Sequence, residues 1–380
     1  MRFVLLAILP MFLLTGCFGE VNMAEERAGW VKDISHEIVF GIAGPKQLID
    51  TTDFMEGINL ALEEVNAQGG AAGRQLKVEL GDDESTFIIG STVAQSFAND
   101  PRVMAIIGHW HTHITLPAST IYENAGVVML SPVVSNTELC QRDYQYVFQN
   151  IPSDAQIGKQ MALYADQRRY KNIVIYYSNT PYGLGLANAF EDVAREKGIR
   201  IVDRINGFID SNEFKRSMDK WEALDYDAVF VAGSMPDGGL FIQELKKHRR
   251  DIPILGGDGL DFDFIETLGQ DAEGVVLATI FNPTDPKSSV QDFIKKFEQK
   301  YHKKPDVWAI QGYDSIQLLA YAINKADSPL PADIAATLRA TKDWQSVGDS
   351  IGFNEDGTIT DKAVFKKAVR NGQFDYLPEN

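Results

Sequence analysis

Cysteine is almost missing from this chain: Cys17 and Cys140 are the only two among 380 residues. Two cannot build a disulfide framework, and neither has a partner at metal-binding spacing. Basic residues are scarce as well, 36 lysines and arginines against 53 acids, for a net charge of −17. A surface of that sign repels phosphate backbones and anionic lipid, which excludes nucleic acid as a partner. The apolar run at the start, residues 3–14, is twelve residues long, whereas a membrane-spanning helix needs roughly 20. Enzyme signatures are absent too. There is no G-x-S-x-G, no phosphate-binding glycine loop and no H-E-x-x-H, and Gly183-Leu184-Gly185 lacks the third glycine of a dinucleotide fingerprint. No catalytic residue and no cofactor is therefore expected. What remains is an ordinary globular composition, 44% hydrophobic, in a chain long enough for two domains.

The first residues read as an export signal. Arg2, the short apolar run and then Leu14-Thr15-Gly16-Cys17 follow the order of basic start, apolar core and small residues before a cleavage point. The Leu-Thr-Gly-Cys ending resembles a bacterial lipobox, which implies cleavage after residue 16 and lipidation at Cys17. The mature protein is then expected on the periplasmic or extracellular face, anchored through Cys17, with residues 17–35 as a tether. Cys140 reads as an inert core thiol.

From residue 37 onward, apolar strands alternate with amphipathic helices, which implies parallel sheets with right-handed crossovers. The stretch 103–135 organises the pattern. Residues 103–108 form an apolar run ending in glycine, residues 116–124 have helical spacing, and residues 127–130 form a second run ending at Ser131-Pro132. Pro117 fits the first turn of that helix. Both strands stop at small or hydroxyl residues, Gly108 then Thr112, and Ser131 then Ser135. In open parallel sheets ligands sit beyond the carboxyl ends of strands, beside helix N-termini, so this stretch is suited to hold a carboxylate. A second run of βα units starts near residues 148–154 and gives a two-lobed reading with a cleft between. His109, His111 and His113 alternate, but no cysteine or dense acidic partner accompanies them, so no metal site is assigned. Asp82, Asp83 and Glu84 read as a solvated turn.

The chain resembles the type I periplasmic solute-binding proteins of ABC importers, in their branched-chain amino-acid-binding (leucine/isoleucine/valine-binding) group. The resemblance is carried in order by Phe54-Met55-Glu56-Gly57, Asn66-Ala67-Gln68-Gly69-Gly70, Gly73-Arg74-Gln75-Leu76, Asp82-Asp83, Ile107-Gly108-His109, Pro117-Ala118-Ser119, Ile121-Tyr122, Ser131-Pro132, Tyr182-Gly183 and Tyr313-Asp314-Ser315. It implies an α/β fold of two doubly wound parallel-sheet lobes joined by a three-stranded hinge. It assigns residues 36–150 plus 282–327 to the first lobe and 151–281 plus 328–380 to the second, with crossovers near 150, near 282 and within 325–345. It implies ligand contacts from Thr112, Ser135 and the backbone at Val133 to a carboxylate, and from Asp258 to an ammonium. Tyr182 matches a position that reaches the ligand. Trp110 and Ser234 are the departures: the first is bulkier than usual there, the second stands where amino-acid binders carry an aromatic. The implied function is a monomeric binding protein that closes on a small zwitterion, such as an amino acid, and hands it to an ABC permease and ATPase. An amide- or urea-type ligand and a ligand-sensing role remain open alternatives.

Overall fold

The computed structural model describes residues 22–207, 211–360 and 362–378. The expected leader and Cys17 lie outside the described residues. Five parallel strands, β1 (Ile38–Gly44), β2 (Leu76–Asp82), β3 (Val103–Gly108), β4 (Val128–Ser131) and β5 (Val147–Gln149), form one sheet in the order β2-β1-β3-β4-β5. β1 and β3 are buried along their whole length, as suits parallel strands covered on both faces. The order reverses between β1 and β3, which opens a crevice at their carboxyl ends.

A larger sheet contains β6 (Asn172–Tyr177), β7 (Arg200–Ile205), β8 (Ala228–Ala232), β9 (Ile254–Gly256) and β10 (Val276–Thr279), all parallel. A small antiparallel group, β11 (Trp344–Gln345), β12 (Ser350–Phe353) and β13 (Ile359–Thr360), precedes β14 (Phe365–Arg370) and β15 (Gln373–Tyr376), which extend the larger sheet, β14 antiparallel to β10 and β15 antiparallel to β14. The turn expected at residues 354–357 joins β12 to β13.

The helices are α1 (Met23–Val31), α2 (Lys46–Thr51), α3 (Phe54–Ala67), α4 (Phe87–Ala98), α5 (Thr112–Ala125), α6 (Asp154–Gln167), α7 (Pro181–Glu196), α8 (Ser211–Ala223), α9 (Asp237–His248), α10 (Phe264–Leu268), α11 (Ser288–Tyr301), α12 (Val307–Ala326) and α13 (Pro331–Ala340). α3 and α12 cross on glycine. A Cβ placed on Gly57 would lie 1.9 Å from the Ala309 carbonyl oxygen, and one on Gly312 would lie 2.3 Å from that of Phe54. α6 starts from a capping box in which Ser153 caps the Gln156 N–H and Gln156 returns the bond. Cys140 is buried and its thiol is pushed up to about 12 by burial, as expected of an inert core residue.

Four expectations need correction. The described part of the proposed tether, residues 22–35, is folded. The Arg27 guanidinium is 1% exposed and donates to the carbonyls of Val103 (3.1 Å), Ala125 (2.9 Å) and Ala98 (2.5 Å). Arg74 donates to Val31 and Asp33, and His36 stacks on Trp30 at 3.7 Å. This helix is held by hydrogen bonds rather than an apolar stripe, so periodicity does not reveal it. Second, residues 331–360 do not join the second lobe. Ile334, Leu338, Ile351, Phe353 and Ile359 are buried in the core that contains Phe40, Ile58 and Ile316. The last crossover therefore falls just before β14. Third, Asp83 is fully buried rather than part of a solvated turn, because its carboxylate meets His109 Nδ1 at 2.8 Å. Fourth, Pro117 is six residues into α5 rather than in its first turn.

The crossovers meet around a buried lysine. Lys362 Nζ donates to the Asn150 carbonyl (3.2 Å) and to Gln311 Oε1 (2.5 Å), while the Gln311 amide donates to the carbonyls of Asn150 (3.1 Å) and Pro132. Burial lowers the affinity of Lys362 for its proton.

Candidate functional site

At the β1/β3 crevice, where the sheets face each other, lies a cavity of about 260 Å³. An engineered cavity of roughly 150 Å³ admits benzene, so this one suits a solute of amino-acid size. Every residue singled out for ligand contact lines it: Trp110, Thr112, Val133, Ser135, Tyr182, Ser234 and Asp258. They come from five strand ends, Tyr182 following β6. Trp110 and Thr112 follow β3, Val133 and Ser135 follow β4, Ser234 follows β8, and Asp258 follows β9.

The first-lobe side supplies donors. Thr112 is the first residue of α5 and is 6% exposed. The opening N–H groups of a helix have no partner within it, and the dipole adds partial positive charge there. His111 precedes the helix without capping it through its side chain. Burial and the neighbouring His113, whose ring stacks on it at 5.6 Å, lower the His111 pKa. Ser85 Oγ lies 3.1 Å from His111 Nε2. His109 stays out of the cavity, buried between Asp83 and the Tyr122 hydroxyl, which is 3.1 Å from Nε2. Among the described residues, no three histidines, cysteines or acids are grouped to hold a metal.

The opposite side supplies negative charge. Asp258 is 6% exposed, and burial pushes its carboxyl up to about 6. The Tyr182 hydroxyl donates to Asp258 Oδ1 at 2.8 Å and accepts from the Gly259 N–H at 2.8 Å. Tyr182 is therefore an orienting partner of Asp258 as well as a cavity wall. Close approach is built in: a Cβ on Gly257 or Gly259 would collide with the Tyr182 ring or hydroxyl.

Between the two polar sides stands an apolar wall. Trp110 packs edge-on against Phe54 (5.6 Å) and tilted against Trp308 (5.2 Å). Leu48, Met235 and Phe262 complete it. Sequence reasoning missed Leu48, since α2 is too short to show periodicity. It missed Trp308 as well, although Asp306 capping the N–H groups of Trp308 and Ala309 marks a helix start beside the cavity.

Ser135 holds one more surprise. Its hydroxyl donates to Asp154 Oδ1 at 2.6 Å, and the Asp154 N–H returns a bond to the Ser135 carbonyl at 2.8 Å. Asp154 is 2% exposed, and no sequence motif marked it.

The chain matches the family model described as "Periplasmic binding protein" over residues 39–373. An ABC transporter substrate-binding protein from Desulfitobacterium hafniense, solved in complex with Leu, is 39% identical, spans 90% of this chain and all of that one, and superposes with a TM-score of 0.84. A Leu/Ile/Val-binding protein homolog of Brucella abortus is 26% identical over 91% of this chain and 94% of its own length. A branched-chain amino-acid substrate-binding protein of Streptococcus pneumoniae, solved with isoleucine, is 25% identical over 89% of this chain and 98% of that one, at a TM-score of 0.79. With its two wound sheets and interlobe cavity, the chain belongs to the type I periplasmic binding proteins, in the branched-chain amino-acid group.

Proposed function

We propose that this protein captures a free amino acid with an apolar side chain, leucine or a close relative, and delivers it to an ABC importer on the outer side of a membrane. The observation that carries the reading is the pairing of opposite polarities in one cavity. The start of α5 faces inward from one lobe and the buried Asp258 carboxylate from the other, with the Trp110 wall between them. A zwitterion satisfies both ends: its carboxylate meets the helix N–H groups and Thr112, its ammonium meets Asp258, and its side chain lies on Trp110 and Trp308. An amide or urea brings no full cation to Asp258, whose charge would stay buried and unpaired. The family is one of solute-binding proteins, and the reading includes no conversion of the ligand. The protein works as a monomer, and its remaining partners are a permease and an ATPase.

Calorimetric titration tests this reading. L-Leucine, isoleucine and valine are expected to bind, and 4-methylpentanoate, which is leucine without its amine, at least a hundredfold more weakly. Binding of acetamide or urea with no response to any amino acid would overturn it.

Two further outcomes follow. Tyr182→Phe removes one bond to a charged group, worth roughly 1.5–3 kcal/mol, so leucine affinity is expected to fall about tenfold to a hundredfold. Its loss should also move the Asp258 titration upward, because the Tyr182 hydroxyl opposes the effect of burial; carboxyl NMR reads this directly. Cys17→Ser is expected to release the protein from the membrane fraction into the soluble extracytoplasmic fraction, measured by fractionation and mass spectrometry of the mature N-terminus. A wild-type protein that is soluble and unacylated would remove the anchor from the reading.

A further inference from the structure

Asp154 does not line the cavity, yet it is hydrogen-bonded to a residue that does. Its Oδ1 takes the Ser135 hydroxyl at 2.6 Å, and its Oδ2 faces Asn136 Nδ2 at 3.4 Å. The Asn136 amide cannot turn around without losing both its other bonds. Nδ2 also donates to the Pro181 carbonyl (3.1 Å), and Oδ1 accepts from the Glu138 N–H (3.0 Å). The Asp154 carboxylate thus meets a fixed N–H donor on one oxygen and a rotatable hydroxyl on the other. α7 closes over it: a Cβ on Gly185 would lie 2.7 Å from Oδ2.

This arrangement has two protonation states with opposite consequences. When Asp154 is ionised, the single Ser135 hydroxyl hydrogen points at Oδ1, and the Ser135 oxygen offers only lone pairs to the cavity. When Asp154 binds a proton, that proton cannot sit on Oδ2, where it would face the Asn136 donor. It sits on Oδ1 and donates to Ser135, whose own hydrogen then turns toward the cavity. We propose that Asp154 is a positioning residue that sets the hydrogen-bonding polarity of Ser135, so that Ser135 accepts from a ligand ammonium only while Asp154 is ionised, and ammonium binding expels one proton from Asp154 to solvent. The inference rests on the amino-acid reading above and reverses the donor role to a carboxylate expected for Ser135.

The surroundings favour a proton on Asp154 in the empty protein. Burial and Asp258 raise its carboxyl to about 8, against the opposing bonds from Ser135 and Asn136. Tyr182 faces it from α7, and Glu138 and Asp192 line the groove on which Asp154 borders. An arriving ammonium shifts the balance toward the ionised form. The sign follows: with a pKa raised to about 8 in the empty protein and lowered on binding, leucine affinity rises with pH up to about 8, by at most tenfold per unit, and the Asp258 step adds to it only below about 6.

The test uses the full chain with L-leucine as probe, titrated calorimetrically at pH 7 in two buffers of different ionisation heat. The wild type is expected to release close to one proton per leucine. Asp154→Asn, whose carbonyl meets the Asn136 donor and whose N–H turns to Ser135 as the O–H of the protonated acid does, cannot titrate; it is expected to release only the small fraction due to Asp258 and to lose the pH dependence between 6 and 8. Ser135→Ala is expected to lose most of the release while Asp154 still titrates. Equal proton release in wild type and Asp154→Asn would overturn the proposal, and so would full release in Ser135→Ala, which would make the coupling a through-space effect. Carboxyl NMR of the empty protein decides independently of any ligand. A carboxyl titrating between pH 7 and 9 that vanishes in Asp154→Asn supports the proposal, and no such carboxyl overturns it. If leucine gives no heat with the wild type, the amino-acid reading fails, and with it the ammonium step.

Discussion

Replacing Asp258 by asparagine is expected to weaken leucine binding by roughly two to four orders of magnitude. Removing one partner of a buried ion pair costs about 3–5 kcal/mol, because the other charge is left without water and without a counterion, and each 1.4 kcal/mol is about a factor of ten. Asparagine keeps the shape and can still accept from Tyr182, so the empty protein should melt close to the wild-type temperature, or slightly above it, since a charge that burial disfavours is gone. The pH dependence supplies a second check. Asp258 is raised to about 6 in the empty protein. An ammonium partner lowers that value, so the wild type loses affinity more steeply once pH falls below about 6, and Asp258→Asn should lose less over the same range. Calorimetry at pH 5 and pH 7 on both proteins reads both effects. A loss of less than about tenfold at pH 7 would remove the ammonium role from Asp258.

The largest expected effect on stability lies at the α3–α12 crossing. Gly57→Ala places a methyl group 1.9 Å from a backbone oxygen that no rotamer change can move. The helices must separate, and the apolar residues on either side, Ile58, Leu60 and Ile316, lose contact with them. Overpacking of this kind costs typically 1–3 kcal/mol and sometimes more; here the obstacle is main chain, so the upper end is expected. For a lobe of about 200 residues each kcal/mol moves Tm by roughly 2–4 °C, which predicts a fall of about 6–12 °C in differential scanning calorimetry. Gly29→Ala, within α1 and with open space around its Cβ, is the control: it shares the helical glycine-to-alanine change without the collision. Similar losses in both variants would show that packing at the crossing is not the cause.

Much of this molecule could be read from its residues, for a definite reason. Parallel strands buried on both faces are continuous apolar runs, and the ligand side of such a sheet is where those runs stop. Thr112 and Ser135 were found by following runs to their ends and Asp258 through the family resemblance, and all three line one cavity. The features that escaped are those in which hydrogen bonds do the holding. α1 has no apolar stripe and is fixed by Arg27. Asp154 sits one residue after a helix cap and looks like an ordinary first-turn acid. Asp83, which reads as a turn acid, is buried because it meets a histidine 26 positions away. Residues 331–360 escaped for another reason: an amphipathic helix such as α13 shows that it has an apolar face, but not which of two cores that face covers.

With the anchor proposed at Cys17, the Arg27 clamp would also limit how the protein stands over a membrane. Residues 18–22 separate the expected acylated cysteine from α1, and five residues at full stretch reach about 17 Å. A lobe of about 200 residues is roughly 40 Å across, from its expected radius of gyration. The leash is shorter than the body it holds. Arg27 ties α1 to the start of β3 and the ends of α4 and α5, the floor of the first lobe, whereas the cavity lies at the opposite end of β3, one strand length away. A molecule anchored in the proposed way would keep that floor nearest the bilayer and its cavity about one strand length further out.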